Sequence, residues 1–99
     1  MQAITSIRML LRTGHVRNIL LVCPKPLVTN WQREFKTWAP EITVAAVSGN
    51  KTERTWHWKH NRSMVKIANY ELMIRDESIV TAGDLEFDLC VLDLSLIHI

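Results

Sequence analysis

Four short apolar runs constrain this chain more than any other feature: Asn18 to Cys23, Ile42 to Val47, Met64 to Ala68, and Asp88 to Asp93. They are continuous rather than alternating, and rich in β-branched residues. That is the pattern of strands buried on both faces, as in a parallel sheet. The segments between them are long enough for the crossover helices that parallel neighbours require. The resulting order, α-β-α-β-α-β-α-β, argues for a layered α/β domain.

The helical segments carry their own punctuation. Ile4, Ile7, Leu10 and Leu11 repeat at helical spacing, and Thr13-Gly14 ends that helix. Pro24 and Pro26 break the chain after the first strand, and Pro26 can open the next helix. There Leu27, Trp31, Phe35 and Trp38 form one apolar stripe that reads as core, with Gln32, Arg33 and Lys36 off it. Pro40 stops it. Asn50, with Glu53 three residues on, predicts the cap of a third helix, Lys51 to about Lys59. A fourth helix is predicted from Tyr70 to about Val80, stopped near Gly83.

Composition excludes more than it selects. Of 99 residues 47 % are hydrophobic, enough for a packed core and against global disorder. No apolar run approaches the length that spans a bilayer, and the first residues carry no secretory pattern. Twelve Lys and Arg against ten Asp and Glu give a net charge of +2, too small to argue for nucleic acid. Cys23 and Cys90 lie in apolar runs and read as reduced core thiols.

In open α/β sheets the chemistry gathers at the C-terminal ends of the strands. Three such ends carry suitable residues. Cys23-Pro24-Lys25 puts a cation on a stiffened loop, where it could hold a phosphate. Asn69-Tyr70 stands at a strand-to-helix junction; both side chains can donate to phosphates, although Asn69 serves equally well as a helix cap. Asp93 ends the fourth run, the position at which nucleotide hydrolases hold magnesium. Taken singly, each is ordinary: a surface lysine, a cap, a turn aspartate. His57 and His60 are spaced to share a metal but lack a third ligand. Trp56, Trp58, Lys51, Arg54 and Lys59 mix aromatic and basic groups; an exposed amphipathic helix is favoured there over a nucleic-acid patch.

In order and spacing, these segments resemble the Swi/Snf-type DNA-dependent ATPases of helicase superfamily two. Leu21-Val22-Cys23-Pro24-Lys25 through Asn30-Trp31-Gln32-Arg33-Glu34-Phe35 and Trp38 is similar to that family's motif Ia and its helix. Ser48-Gly49-Asn50 is similar to the turn after its next strand, and Ile67-Ala68-Asn69-Tyr70-Glu71 to motif Ib. Phe87-Asp88-Leu89-Cys90-Val91-Leu92-Asp93 resembles the strand leading into motif II. The resemblance implies that residues 1–93 are part of an N-terminal helicase ATP-binding domain. The implied fold is a partial RecA-like, three-layer α/β domain with a mostly parallel sheet that lacks the P-loop strand. It implies Lys25, Asn69 and Tyr70 near one DNA backbone. Asp93 would orient magnesium through water, as catalytic, cofactor-binding and metal residue at once. ATP, magnesium and double-stranded DNA would belong to the intact parent, in the nucleus of a eukaryote or with the nucleoid of a bacterial cytoplasm. No membrane is implied.

Two departures shape the expectation. A P-loop needs G-x-x-x-x-G-K-[ST], whose amides and lysine cradle phosphates. Gly14, Gly49 and Gly83 do not supply one; around Gly49 the lysine should fall at Asn50 and the first glycine at Val44. The family also follows its aspartate with a glutamate that positions the attacking water, and here Leu94 follows Asp93. Residues 94–99, Leu94-Ser95-Leu96-Ile97-His98-Ile99, match nothing in the family and read as adaptor-derived codons. With the second RecA-like domain also absent, the chain alone is expected to bind neither ATP nor magnesium tightly and to hydrolyse nothing. Unpaired strand edges should make it poorly soluble. The alternatives are a stand-alone nucleic-acid-binding module without ATPase activity and, last, a receiver-like signalling domain, which wants an acidic cluster at an early strand end.

Overall fold

A computed structural model describes residues 2–81 and 87–93. Helix α1 (Gln2–Arg12) leads to β1 (Ile19–Cys23), and a 3-10 turn (Lys25–Leu27) leads into α2 (Val28–Trp38). Then follow β2 (Val44–Ala46), α3 (Lys51–Lys59), β3 (Val65–Asn69), α4 (Tyr70–Arg75), α5 (Glu77–Val80) and β4 (Leu89–Leu92). The four strands form one sheet in the order β2-β3-β1-β4, and every pairing is parallel. The α/β expectation holds, and the sheet is parallel throughout its described strands.

Alternation along β1 divides the core into two layers. Ile19, Leu21 and Cys23 face α1 and α2, packing with Ile4, Ile7, Trp31 and Phe35. Leu20 and Val22 face the other way, toward Trp58 and Val47, with Met73 and Ile79 against them. The result is a sheet between two helical layers. β1 and β3 are buried along their whole length, as continuous apolar runs predict. β4 departs from the expectation: Leu89 and Val91 pack on the α1–α2 side, whereas Cys90 and Leu92 are exposed. β4 lies at the sheet's edge, beyond the reach of the α3–α5 layer. Cys90 is therefore an exposed thiol rather than a core one, while Cys23 is buried.

Helix ends follow their local chemistry. Gly14, at φ +77°, turns the chain out of α1. Asn50 accepts a hydrogen bond from the Glu53 amide at 2.9 Å, and the Glu53 carboxylate accepts from the Asn50 amide at 3.2 Å. Gly49 precedes that box at φ +92°, and a Cβ there would lie 2.8 Å from the Glu53 carboxyl carbon. Positive φ and the close approach together require glycine. Asn50→Ala should lower stability by about 1 kcal/mol in a urea melt, and Asn50→Asp should retain most of it.

Two helix expectations need correction. Trp38 is 55 % exposed and donates its indole N–H to Glu34 at 2.7 Å. Trp38 is the last residue of α2; its i+7 spacing from Trp31 suits the same face, but the chain leaves the helix there and Ala39, just beyond the end, takes the buried place. The helix expected from Tyr70 to about Val80 breaks at Asp76, where α4 ends and α5 begins. Asp76 is buried and points its carboxylate across to α3. It takes Arg54 Nε at 2.9 Å and Nη2 at 3.1 Å, and Trp58 Nε1 at 3.0 Å. Arg54 also donates to the Gly49 carbonyl at 3.0 Å. So α3 is amphipathic and largely exposed, as expected, but with Trp58 buried and Arg54 held against Asp76. Trp58 and Arg54 turn inward, while Trp56 remains outside. The expected stop near Gly83 and the tail at 94–99 lie outside the described residues.

Candidate functional site

Register brings three strand tips together. Cys23 ends β1 opposite Asn69 of β3. On the other side of β1, Val22 pairs with Leu92, and the Asp93 amide donates to the Val22 carbonyl at 2.8 Å. The sequence-predicted residues therefore share one edge of the sheet, the C-terminal edge where α/β proteins place their sites.

They divide into two groups along it. Lys25 and Asn69 line a cleft of about 390 Å³ together with Ser48, Gly49, Arg54 and Arg75. Asn69 Oδ1 accepts from the Leu72 amide at 2.9 Å, so it does cap α4. The group left over from the cap is its amide, a donor. Two of the cleft's cations are already engaged, Arg54 by buried Asp76 and Arg75 by Glu71 on the surface. For Lys25 no ion pair is found among the described residues. Glu71 also lines the cleft, paired with Arg75, so the donors left for a phosphate oxygen are chiefly Lys25 and the Asn69 amide.

Asp93 stands on the far side of β1, and Tyr70, next to Asn69 at the tip of β3, reaches across to it. The Tyr70 hydroxyl donates to the Asp93 backbone carbonyl at 2.8 Å. Burial, and then the charge of Asp93, raise the Tyr70 pKa, so the phenol stays protonated and remains a donor. The Asp93 carboxylate accepts the Trp31 indole N–H at 2.8 Å through Oδ2. Burial and the neighbouring Asp93 push the Cys23 thiol up to about 11, which keeps it protonated and inert at neutral pH.

Asp93 is a hard oxygen donor at a strand tip, which suits magnesium. No cluster of three or more His, Cys, Asp or Glu is found among the described residues. A magnesium ion there would complete its coordination with water and phosphate oxygens, as it commonly does. His57, considered above as a ligand, has Nδ1 3.1 Å from the Asn61 side-chain amide.

Sequence reasoning missed several members of this framework. Lys66 sits inside a run read as apolar. It is buried, donates to the Trp58 carbonyl at 2.9 Å and lies 5.7 Å from the centre of the Phe87 ring. Burial lowers its pKa. Arg54 and Asp76 escaped notice as a pair because 22 residues separate them. From its spacing Trp31 reads only as core. Its link to Asp93 spans 62 residues and leaves no local signal.

A parallel α/β sheet with its candidate residues along the C-terminal edge of the strands is the architecture of the open α/β proteins. The chain belongs to the SNF2-related domain family, which matches residues 1–93. Among curated proteins it is similar to chromodomain-helicase-DNA-binding protein 1 of Gallus gallus, 33 % identical over 70 residues, covering 62 % of this chain and 4 % of that protein. It is similar to helicase swr1 of Emericella nidulans, 32 % identical over 65 residues, covering 62 % of this chain and 4 % of the relative. It is also similar to TATA-binding protein-associated factor mot1 of Schizosaccharomyces pombe, 35 % identical over 75 residues, covering 75 % of this chain and 4 % of the relative. The chain thus spans only about one twenty-fifth of the length of these three relatives. No helix among the described residues is long and apolar enough to cross a membrane.

Proposed function

We propose that this chain is part of the ATP-binding domain of an ATP-driven motor that moves along double-stranded DNA. Family membership over residues 1–93 is the observation that carries the reading. The strand-tip geometry supports it. Asp93 would sit on the magnesium side of the nucleotide, and Lys25 and Asn69 would face a DNA phosphate from the cleft. Tyr70 would act one step back, holding the backbone at Asp93. Magnesium, when bound, would neutralise charge on the phosphates; Asp93 would orient its water shell. The P-loop and the second RecA-like domain would be supplied by the rest of a longer protein, and residues 94–99 would be foreign to it. The cited relatives come from eukaryotes, which favours the nucleus as its compartment.

Phosphate contact has a clear signature in salt. In the full-length protein, Lys25→Ala should weaken binding to duplex DNA by a similar factor for every sequence. It should also reduce the slope of log K against log salt by about 1. An unchanged slope would remove Lys25 from the DNA contact. The rival reading, a nucleic-acid-binding module without hydrolysis, predicts the same slope change but no DNA-stimulated phosphate release. Measuring both separates the two.

A further inference from the structure

Asp93 is the acid at the tip of β4, and the fold holds it from both sides of the sheet. From the α1–α2 layer, Trp31 donates its indole N–H to Oδ2 at 2.8 Å. From the α3–α5 side, Tyr70 holds the Asp93 main-chain carbonyl at 2.8 Å. Trp31 is only 7 % exposed, and its ring packs at 38° against Phe35 with centroids 6.1 Å apart. A ring fixed in this way fixes the direction of its one donor. An indole has a single N–H and no acceptor, so it can bind only one side of the carboxylate.

We propose that Trp31 is a positioning residue for Asp93: its N–H engages Oδ2 and so orients the carboxylate toward a magnesium-bound water. This rests on the reading of Asp93 as the magnesium-side acid. The last torsion of a carboxylate is broad and lacks deep wells. A charge-assisted hydrogen bond from a buried, immobile donor narrows it before the ion arrives. Partners that orient a metal-facing group typically change metal affinity by about ten- to a hundredfold when removed. A tie that merely joins α2 to β4 would affect stability and leave the metal response alone.

The test uses the full-length protein with Mn²⁺ as the probe, in the presence of ADP and read by electron paramagnetic resonance. Trp31→Phe keeps the packing and deletes the donor. A second variant carries 3-benzothienylalanine at position 31, which has the shape of tryptophan with sulfur in place of the N–H. It keeps the test decisive should Trp31→Phe fold poorly. Both should weaken Mn²⁺ binding about tenfold and raise the Mg²⁺ needed for half-maximal ATP turnover by a similar factor. Thermal midpoints should move little in the benzothienyl variant. Asp93→Asn is measured alongside. If it loses Mn²⁺ while both position-31 variants bind within twofold of the parent, Trp31 is a structural tie only and the proposal is overturned. If Asp93→Asn itself binds Mn²⁺ normally, the underlying reading of Asp93 is wrong, and the proposal falls with it.

Discussion

Asp76→Ala is expected to destabilise the fold by about 3–5 kcal/mol, the range for removing one partner of a buried ion pair. The Asp76 side chain is 2 % exposed and that of Arg54 12 %. Removal strips the guanidinium of two hydrogen bonds and the buried Trp58 indole of its acceptor. Urea denaturation would measure it, and a loss under about 1 kcal/mol would show that the pair is not a main tie. The control is the double replacement Arg54→Met with Asp76→Leu. Exchanging a whole buried pair for apolar residues is often neutral, so the double variant should recover much of the loss. Failure to recover would point to Trp58, or to the Arg54 bond that holds the Gly49 carbonyl, as the larger contribution.

The same pair gives the fold an acid limit. Burial by itself would raise the Asp76 pKa, but hydrogen bonds from Arg54 and Trp58 and the Arg54 charge bring it below the usual carboxylate value. A carboxylate whose folded pKa is depressed contributes stability above its unfolded pKa. That contribution fades as pH falls through the folded one. The loss should therefore start below about pH 4. Asp88 is held low as well, by the Asn18 and Arg17 amides, and contributes in the same window. Its share is removed by comparing the parent with Asp76→Asn, whose acid melt should lack the Asp76 component.

The sequence made the strands legible because β-branched runs and parallel burial leave a strong local pattern. Helix α3 was legible through its cap, since Asn50 and Glu53 are three residues apart and satisfy each other. The site's edge was legible too: Lys25, Asn69, Tyr70 and Asp93 all end or follow strands. How those four divide between two places was not, because it depends on the strand order β2-β3-β1-β4. Buried polar partners were the least visible. Asp76 falls inside a segment that reads as one helix; its reason for being there lies in Arg54 and Trp58, 22 and 18 residues earlier. Lys66 interrupts an apolar strand and is accommodated only because the Trp58 carbonyl waits above it. Trp38 failed for the opposite reason. Hydrophobicity and helical spacing both mark it as core, but α2 ends at Trp38 and the buried place goes to Ala39, just past the helix end.

The site itself is tested most sharply at Asp93. In the full-length protein, Asp93→Asn is expected to reduce DNA-stimulated ATP turnover by about a hundredfold or more, the scale seen when one preorganised electrostatic contact is lost from a catalytic site. The substitution is nearly isosteric. Its amide oxygen can still accept the Trp31 N–H, and the Tyr70 bond goes to the main chain, so neither tie need break. What disappears is the charge. A neutral amide holds magnesium-bound water with roughly half the strength of a carboxylate and offsets none of the ion's charge. Binding to duplex DNA without nucleotide should stay within about twofold, because the Lys25–Asn69 cleft lies on the other side of β1 and phosphate contacts are local. If turnover survived Asp93→Asn, magnesium would be held by other residues and the strand tip would be structural. If DNA binding collapsed along with turnover, the two halves of the edge would be coupled through the tips of β1 and β3, and Lys25→Ala should then depress turnover even at saturating DNA.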